Sequence, residues 1–320
     1  MARSALVISR CLLLLCLCTR KAAIFVAAFL SLVVLSVFVT SLRNLILYPV
    51  WPSAWRHIAT VDVISIKLFT QTSMDIPTGV STCPSSVAKP FPLSAVNRSK
   101  AKLYDRFKRT DFRAEEHRRF LPLLAGDAKV TMVHLYLVAA DALKRSGVEF
   151  FLVEGSLLGA HRHRGMVPWD DDIDIAVNVV HWRTVRRVLS CVGGFLLHVN
   201  QNMHWKFFPN STTPRYGFPF IDIFFYTGND EYVWAVTHYL AQSVIFAKKD
   251  TFPLTTAEFE GVLAPVPKNT DVLVRQVFDY EWCQSPSYIH AHEISLSSKD
   301  MSVVKCSSLT YIYDMHHLKY

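Results

Sequence analysis

Residues 168–176 read PWDDDIDIA, and four of those nine side chains are carboxylates: Asp170, Asp171, Asp172 and Asp174. Few folds tolerate that density of like charge beside isoleucines. Acid and aliphatic alternate from Asp172 to Val177, the period of a β-strand, so Asp172 and Asp174 share one face while Ile173 and Ile175 turn to a core. Carboxylates two residues apart on a strand face stand about 6–7 Å from each other and repel unless positive charge lies between them. A divalent cation meets that need, and Mg²⁺ takes hard oxygen ligands while leaving positions open for a phosphate. Asp170 shares the parity of the pair and is a further candidate ligand. Asp171 faces the other way if the strand extends that far. An EF-hand calcium loop is excluded, because its glycine and terminal glutamate are missing.

Two further segments point to the same chemistry. Ile221-Asp222-Ile223 again sets one acid between aliphatics, and a neighbouring strand would bring Asp222 to the first pair as a third carboxylate. Glu154 to Gly159, EGSLLG, is a turn entering a helix. There Gly155 lets a phosphate approach the backbone and Ser156 offers a hydroxyl at a helix start. Arg162, His163 and Arg164 follow as cations for a diphosphate. Trp169 offers either a stacking face or a core anchor for the turn. A run of aspartates alone is as often a solvated turn, and GSLLG alone is weak; the argument rests on all three segments occurring in order.

Around these motifs the pattern is mixed α and β. Helical spacing runs from about Asp127 to Arg145 and ends at Ser146-Gly147. Strands are expected over Val148–Val153, Asp172–Val177, Phe195–Val199, Trp205–Phe208 and Phe220–Tyr226, with helices over His181–Ser190 and Asp271–Tyr280. The last forty residues give no clear pattern.

The N-terminus carries a different signal. Ala22 to Leu42 contains no charged residue over 21 positions, enough helix to cross the roughly 30 Å hydrocarbon layer of a bilayer. Arg3, Arg10, Arg20 and Lys21 precede it and no acid does, which orients the tail to the cytoplasm. The apolar core exceeds that of a cleaved secretory signal, so residues 1–21 are expected as a cytoplasmic tail and 22–42 as a signal anchor of a single-pass type II protein. Residues 43–125, with scattered prolines, read as a lumenal stem, and 126–320 as the catalytic domain. Sequons at Asn97 and Asn210 agree with a secretory location. Cys83, Cys191, Cys283 and Cys306 follow the span and allow two disulfides in three pairings. No CxxC pair exists, which argues against structural zinc. Cys11, Cys16 and Cys18 precede the span and are acylation candidates or apolar filler. The net charge of +8 is modest. A basic stretch from Lys100 to Arg119 reads as a solvated face, and nucleic acid is not an expected partner.

Residues 154–177, EGSLLGAHRHRGMVPWDDDIDIAV, resemble the signature of the LicD family, which includes bacterial phosphocholine transferases and animal fukutin-related proteins. Arg215 to Phe224, RYGFPFIDIF, resembles the family's later acid-bearing segment. The resemblance implies an α+β, nucleotidyltransferase-like mixed sheet flanked by helices, following the N-terminal transmembrane helix. It implies a metal-dependent enzyme using Mg²⁺ or Mn²⁺. Such an enzyme moves a phospho-alcohol group, such as phosphocholine or ribitol phosphate, from a CDP-linked donor to a glycan or glycoprotein, and the type II layout points to the Golgi or ER lumen as its place. Asp172, Asp174 and Asp222 match the family's catalytic metal carboxylates, with Asp170 as the first acid of the motif. Gly155 and Ser156 match its phosphate turn, and Arg162 and His163 its basic pair. Transfer of the nucleotide itself, or a silent scaffold for glycan-modifying enzymes, are the alternatives.

Overall fold

The computed structural model describes residue 31, Cys83 and residues 85–200, 203–211, 218–236 and 245–317. The expected membrane span, Ala22–Leu42, lies outside these apart from Ser31. Among the described residues no helix is long and apolar enough to cross a membrane.

A seven-stranded sheet organises the domain. Its strands are β1 (Phe150–Leu152), β2 (Ile173–Asn178), β3 (Phe195–His198), β4 (His204–Pro209), β5 (Ile221–Gly228), β6 (Tyr232–Ala235) and β7 (Ile245–Ala247). The order β1-β2-β5-β4-β3 is completed by β6, which pairs with β5 beyond the end of β4, and by β7 on β6. Only β2 and β5 run parallel; every other pair in this sheet is antiparallel. The sheet is therefore mixed and the class α+β, as the resemblance implies.

One face of the sheet makes the main core. Ile173, Ile175 and Val177 of β2 and Ile221, Ile223 and Phe225 of β5 are fully buried there. Helix α1 (Gly126–Arg145) covers that face with Val130, Val133, Leu137 and neighbours, together with α3 (Trp182–Leu189). The opposite face carries Asp174 and Asp222, then Ala176, Phe224 and Tyr226, which pack with Phe151 and Val153 in a smaller apolar cluster. Helix α2 (Glu154–His163) connects β1 to β2 and lies against β2.

Beyond the sheet come the hairpin β8 (Thr255–Phe259) and β9 (Val262–Val266), helix α4 (Thr270–Val277), and the strands β10 (Trp282–Gln284), β11 (Tyr288–Ile289), β12 (Ile294–Ser295) and β13 (Val303–Lys305). β10 pairs with β13 and β11 with β12. The strands β10 to β13 are too short for a sequence period to show, which is why the last forty residues show no pattern.

The second half of the segment read as stem packs into the main core. Val87, Phe112 and Phe120 are buried, Leu123 donates its N–H to the Pro168 carbonyl (3.2 Å), and Cys83 is disulfide-bonded to Cys191. The second disulfide joins Cys283 to Cys306. The basic stretch is a solvated face whose cations pair locally, Lys102 with Asp127, Arg109 and Arg118 with Glu115, and Arg119 with Asp300.

Candidate metal and transfer site

The parallel register fixes the centre. Asp174 and Asp222 are direct partners across β2 and β5, and adjacent strands lie about 4.8 Å apart. Asp172 stands just before β2 on the same side. All three are buried, at 8%, 6% and 3% exposure for Asp172, Asp174 and Asp222. The parallel pairing thus sets Asp174 beside Asp222, while Asp172 and Asp222 can present ligand atoms within 4.8 Å of each other.

Burial dominates their ionisation. It pushes Asp174 and Asp170 well above the usual carboxylate range, and the neighbouring Asp172 charge pushes them further. Burial also raises Asp172, to about 6, with Asp222 and Asp171 adding to the rise against the opposing pull of His290. Asp222 goes the other way. Burial would raise it, but His204 and Lys206 outweigh that and hold it below the ordinary value. Lys206 Nζ donates to Asp222 Oδ1 at 2.6 Å, and His204 Nε2 lies 3.0 Å from the same oxygen. Both come from β4, whose Lys206 is the register partner of Asp222.

His290, on the loop between β11 and β12, was not anticipated from sequence. Its Nε2 lies 3.2 Å from Asp172 Oδ2 and its Nδ1 2.9 Å from Asp171 Oδ1. Burial lowers its pKa, yet the bond to Asp171 and the charge of Asp172 leave it raised overall. Asp172, Asp222 and His290 can each present a ligand atom within 4.8 Å of the other two. Ligands of one cation bound at about 2.1 Å sit roughly 3–4 Å apart, so a small inward movement accommodates Mg²⁺ or Mn²⁺. The buried, mutually repelling carboxylates fit a cation, and Asp174 is positioned beside the set by its pairing with Asp222.

The other expected residues divide. Gly155 was expected to let a phosphate approach; the structure places Asp170 there, with its Oδ2 2.4 Å from where a Cβ at 155 would lie. The hydroxyl of Ser156 is occupied, accepting the Asp174 backbone N–H at 2.8 Å and tying α2 to β2. His163 is corrected from a diphosphate cation to a buried neutral ring. Its Nε2 accepts from Arg162 Nε (3.0 Å), its Nδ1 faces the Asp314 carbonyl (3.2 Å), and burial holds its pKa well below normal. Trp169 is a core anchor, 4% exposed, with its indole N–H donated to the Gln284 carbonyl and its ring against Phe120. Arg162 lies over that ring and its pKa is pushed down to about 10 by burial.

Beside the acids opens a cavity of about 640 Å³, lined by Gly155, Arg162, Asp170, Trp282, Tyr288 and His290 among others. Of the predicted residues, Gly155, Arg162, Trp169 and Asp170 therefore line the cavity. Asp171, 1% exposed, accepts from the backbone N–H groups of His290 (3.2 Å) and Ala291 (2.9 Å), so it holds the loop instead of facing solvent.

Residues 147–269, which carry the mixed sheet's two acid-bearing strands, match the family model "LicD/FKTN/FKRP, nucleotidyltransferase domain". Over this segment the chain is similar to the LicD family. A 54-residue stretch is 32% identical to an uncharacterized protein of Rickettsia prowazekii (strain Madrid E), covering 17% of this chain and 20% of that protein. A 61-residue stretch is 30% identical to an uncharacterized protein of Rickettsia typhi (strain ATCC VR-144 / Wilmington), covering 18% and 20%. The chain thus spans about a fifth of the length of the curated relatives it matches.

Proposed function

We propose that this domain transfers a phospho-alcohol group from a CDP-linked donor to a glycan acceptor, with a divalent cation held by Asp172, Asp174 and Asp222. The carrying observation is the register pairing of Asp174 with Asp222 beside buried Asp172. When bound, the cation neutralises charge on the donor diphosphate and on the departing CMP. Arg162 reaches the cavity and steadies anionic oxygens there. Lys206 keeps Asp222 ionised.

Asp222 is poorly suited to take the acceptor's proton. A carboxylate gripped by Lys206 and held below its normal pKa is a weak base, whereas a useful base titrates near the working pH. Asp170 lines the cavity with a raised pKa, and takes that role in this reading.

The site is proposed to work in the lumen of the Golgi or ER, behind a signal anchor at Ala22–Leu42. Support comes from the two disulfides, which suit an oxidising compartment, and from the exposed sequon asparagines Asn97 and Asn210. The full chain is to be incubated with a panel of CDP-alcohols, Mg²⁺ or Mn²⁺ and glycan acceptors, following CMP release and product mass. Wild type should release CMP and add the mass of the phospho-alcohol, and Asp172→Ala should not. Added mass equal to CMP would replace this reading with nucleotidyl transfer, and absence of any cation-dependent donor binding would favour a silent scaffold.

A further inference from the structure

His290 lies 68 residues beyond Asp222, outside the matched family segment, yet its ring is fixed at the acids from every side. Asp171 Oδ1 holds Nδ1 at 2.9 Å, and the same carboxylate takes the backbone N–H groups of His290 and Ala291. Tyr288 packs edge-on against the ring at 4.8 Å and Phe220 at 5.7 Å. With Nδ1 committed to a carboxylate, the free Nε2 is directed at Asp172 Oδ2, 3.2 Å away. A carboxylate that holds one ring nitrogen so that the other meets a metal is how proteins orient imidazole ligands, and it raises the ligand's basicity. A surface histidine making a chance ion pair would not need three bonds from a buried aspartate behind it.

We propose that His290 is itself a ligand to the cation, an imidazole nitrogen delivered by the β11–β12 loop and aligned by Asp171, so that the site prefers Mn²⁺-like ions over Mg²⁺. The inference rests on the metal-dependent reading of the site. Its chemistry follows from the donor set: Mg²⁺ favours oxygen ligands alone, whereas imidazole suits first-row transition ions. Asp171 is then a positioning residue, acting through His290 and not on substrate. The C-terminal hairpins, which also supply Trp282 and Tyr288 to the cavity wall, complete the centre started by β2 and β5.

The test is pulsed EPR of the full chain loaded with Mn²⁺, which reads nitrogen bound directly to the ion. Wild type should show a ¹⁴N coupling that disappears in His290→Gly and returns as a ¹⁵N coupling when ¹⁵N-imidazole is added. Mn²⁺ affinity should drop at least about tenfold in His290→Gly, with a smaller change for Mg²⁺. Asp171→Asn should keep Mn²⁺ bound but alter the coupling. Mn²⁺ bound in wild type with no nitrogen coupling, or with a coupling that persists in His290→Gly because His204 supplies it, would overturn the role of His290 and leave the carboxylate site standing. No Mn²⁺ binding at all would sink both.

Discussion

Two places in this domain bury carboxylates, and they are built on opposite plans. Glu260, 2% exposed in the β8–β9 turn, faces Lys129 of α1 at 3.0 Å and accepts the Met166 N–H at 2.8 Å. One acid meets one base, and the chain has arranged its backbone around the pair. Gly165 is bare because a Cβ there would lie 2.5 Å from Glu260 Oε1, and Glu260 itself adopts φ +53° ahead of Gly261 at +84°. The β2–β5 centre instead stacks Asp170, Asp172, Asp174 and Asp222, with Glu154 nearby, against Lys206, His204 and His290. Its acids outnumber its fixed cations. Balanced burial holds a fold together; unbalanced burial is retained where something that comes and goes supplies the missing charge.

The largest expected effect separates these plans directly. Asp172→Asn should reduce transfer by about three orders of magnitude or more, since the variant loses a ligand in the metal site. Yet it should raise the melting temperature of the metal-free protein, because it removes a repelled charge. Lys129→Met does the reverse. It leaves the buried Glu260 without its counter-charge, which costs about 3–5 kcal/mol in unfolding experiments, while surviving folded protein should keep its kcat. Adding Glu260→Gln to Lys129→Met should recover most of the loss. If Asp172→Asn destabilised as Lys129→Met does, the acid centre would be a structural lock like the other.

A smaller effect tests the same contrast through pH. Asp172 titrates at about 6 when folded against an ordinary 3.8. A carboxylate raised by folding favours the native state fully below about pH 4, and that contribution is lost as pH climbs through 6, on the order of 3 kcal/mol for this group alone. A cation binds the ionised form. The increase in melting temperature given by Mg²⁺ or Mn²⁺ should therefore grow from pH 5 to pH 7, and Asp172→Asn should flatten that dependence. A cation effect independent of pH would break the link between the raised acids and metal binding.

How much of this could be read beforehand follows the length scale of each signal. The acids on β2 and β5 were legible because a strand's period of two reports face directly, and the same period placed Ile173 and Ile221 in the core. Helix α1 was legible through 20 residues of helical spacing. His290 was not, since it arrives on a hairpin whose strands are two residues each, too short for any period, and its role comes from a contact with Asp171 across 119 positions. His163 misled because a histidine beside an arginine looks the same in sequence whether solvated or sealed. Lys206 carried a usable clue: His204 and Lys206 alternate with Trp205 and Phe207 in the same two-residue period, which puts two basic side chains on one face of β4. Only the register, Lys206 opposite Asp222, turned that clue into a contact.

That contact gives the smallest and most discriminating prediction. Lys206 holds Asp222 ionised through a charge-assisted bond at 2.6 Å, in a site where both side chains are largely buried. Such a bond contributes about 1.5–3 kcal/mol. A double-mutant cycle of Lys206→Met with Asp222→Asn, followed by denaturant unfolding, should return a coupling in that range when the protein is metal-free. Repeated with saturating Mn²⁺, the coupling should shrink, because the ion competes with the ammonium for the same carboxylate. At the Lys129–Glu260 pair the corresponding cycle should be unchanged by Mn²⁺, since no ligand set converges there. Equal couplings with and without the ion at Lys206–Asp222 would show that Asp222 belongs to the balanced kind of burial, and would remove it from the metal's ligands.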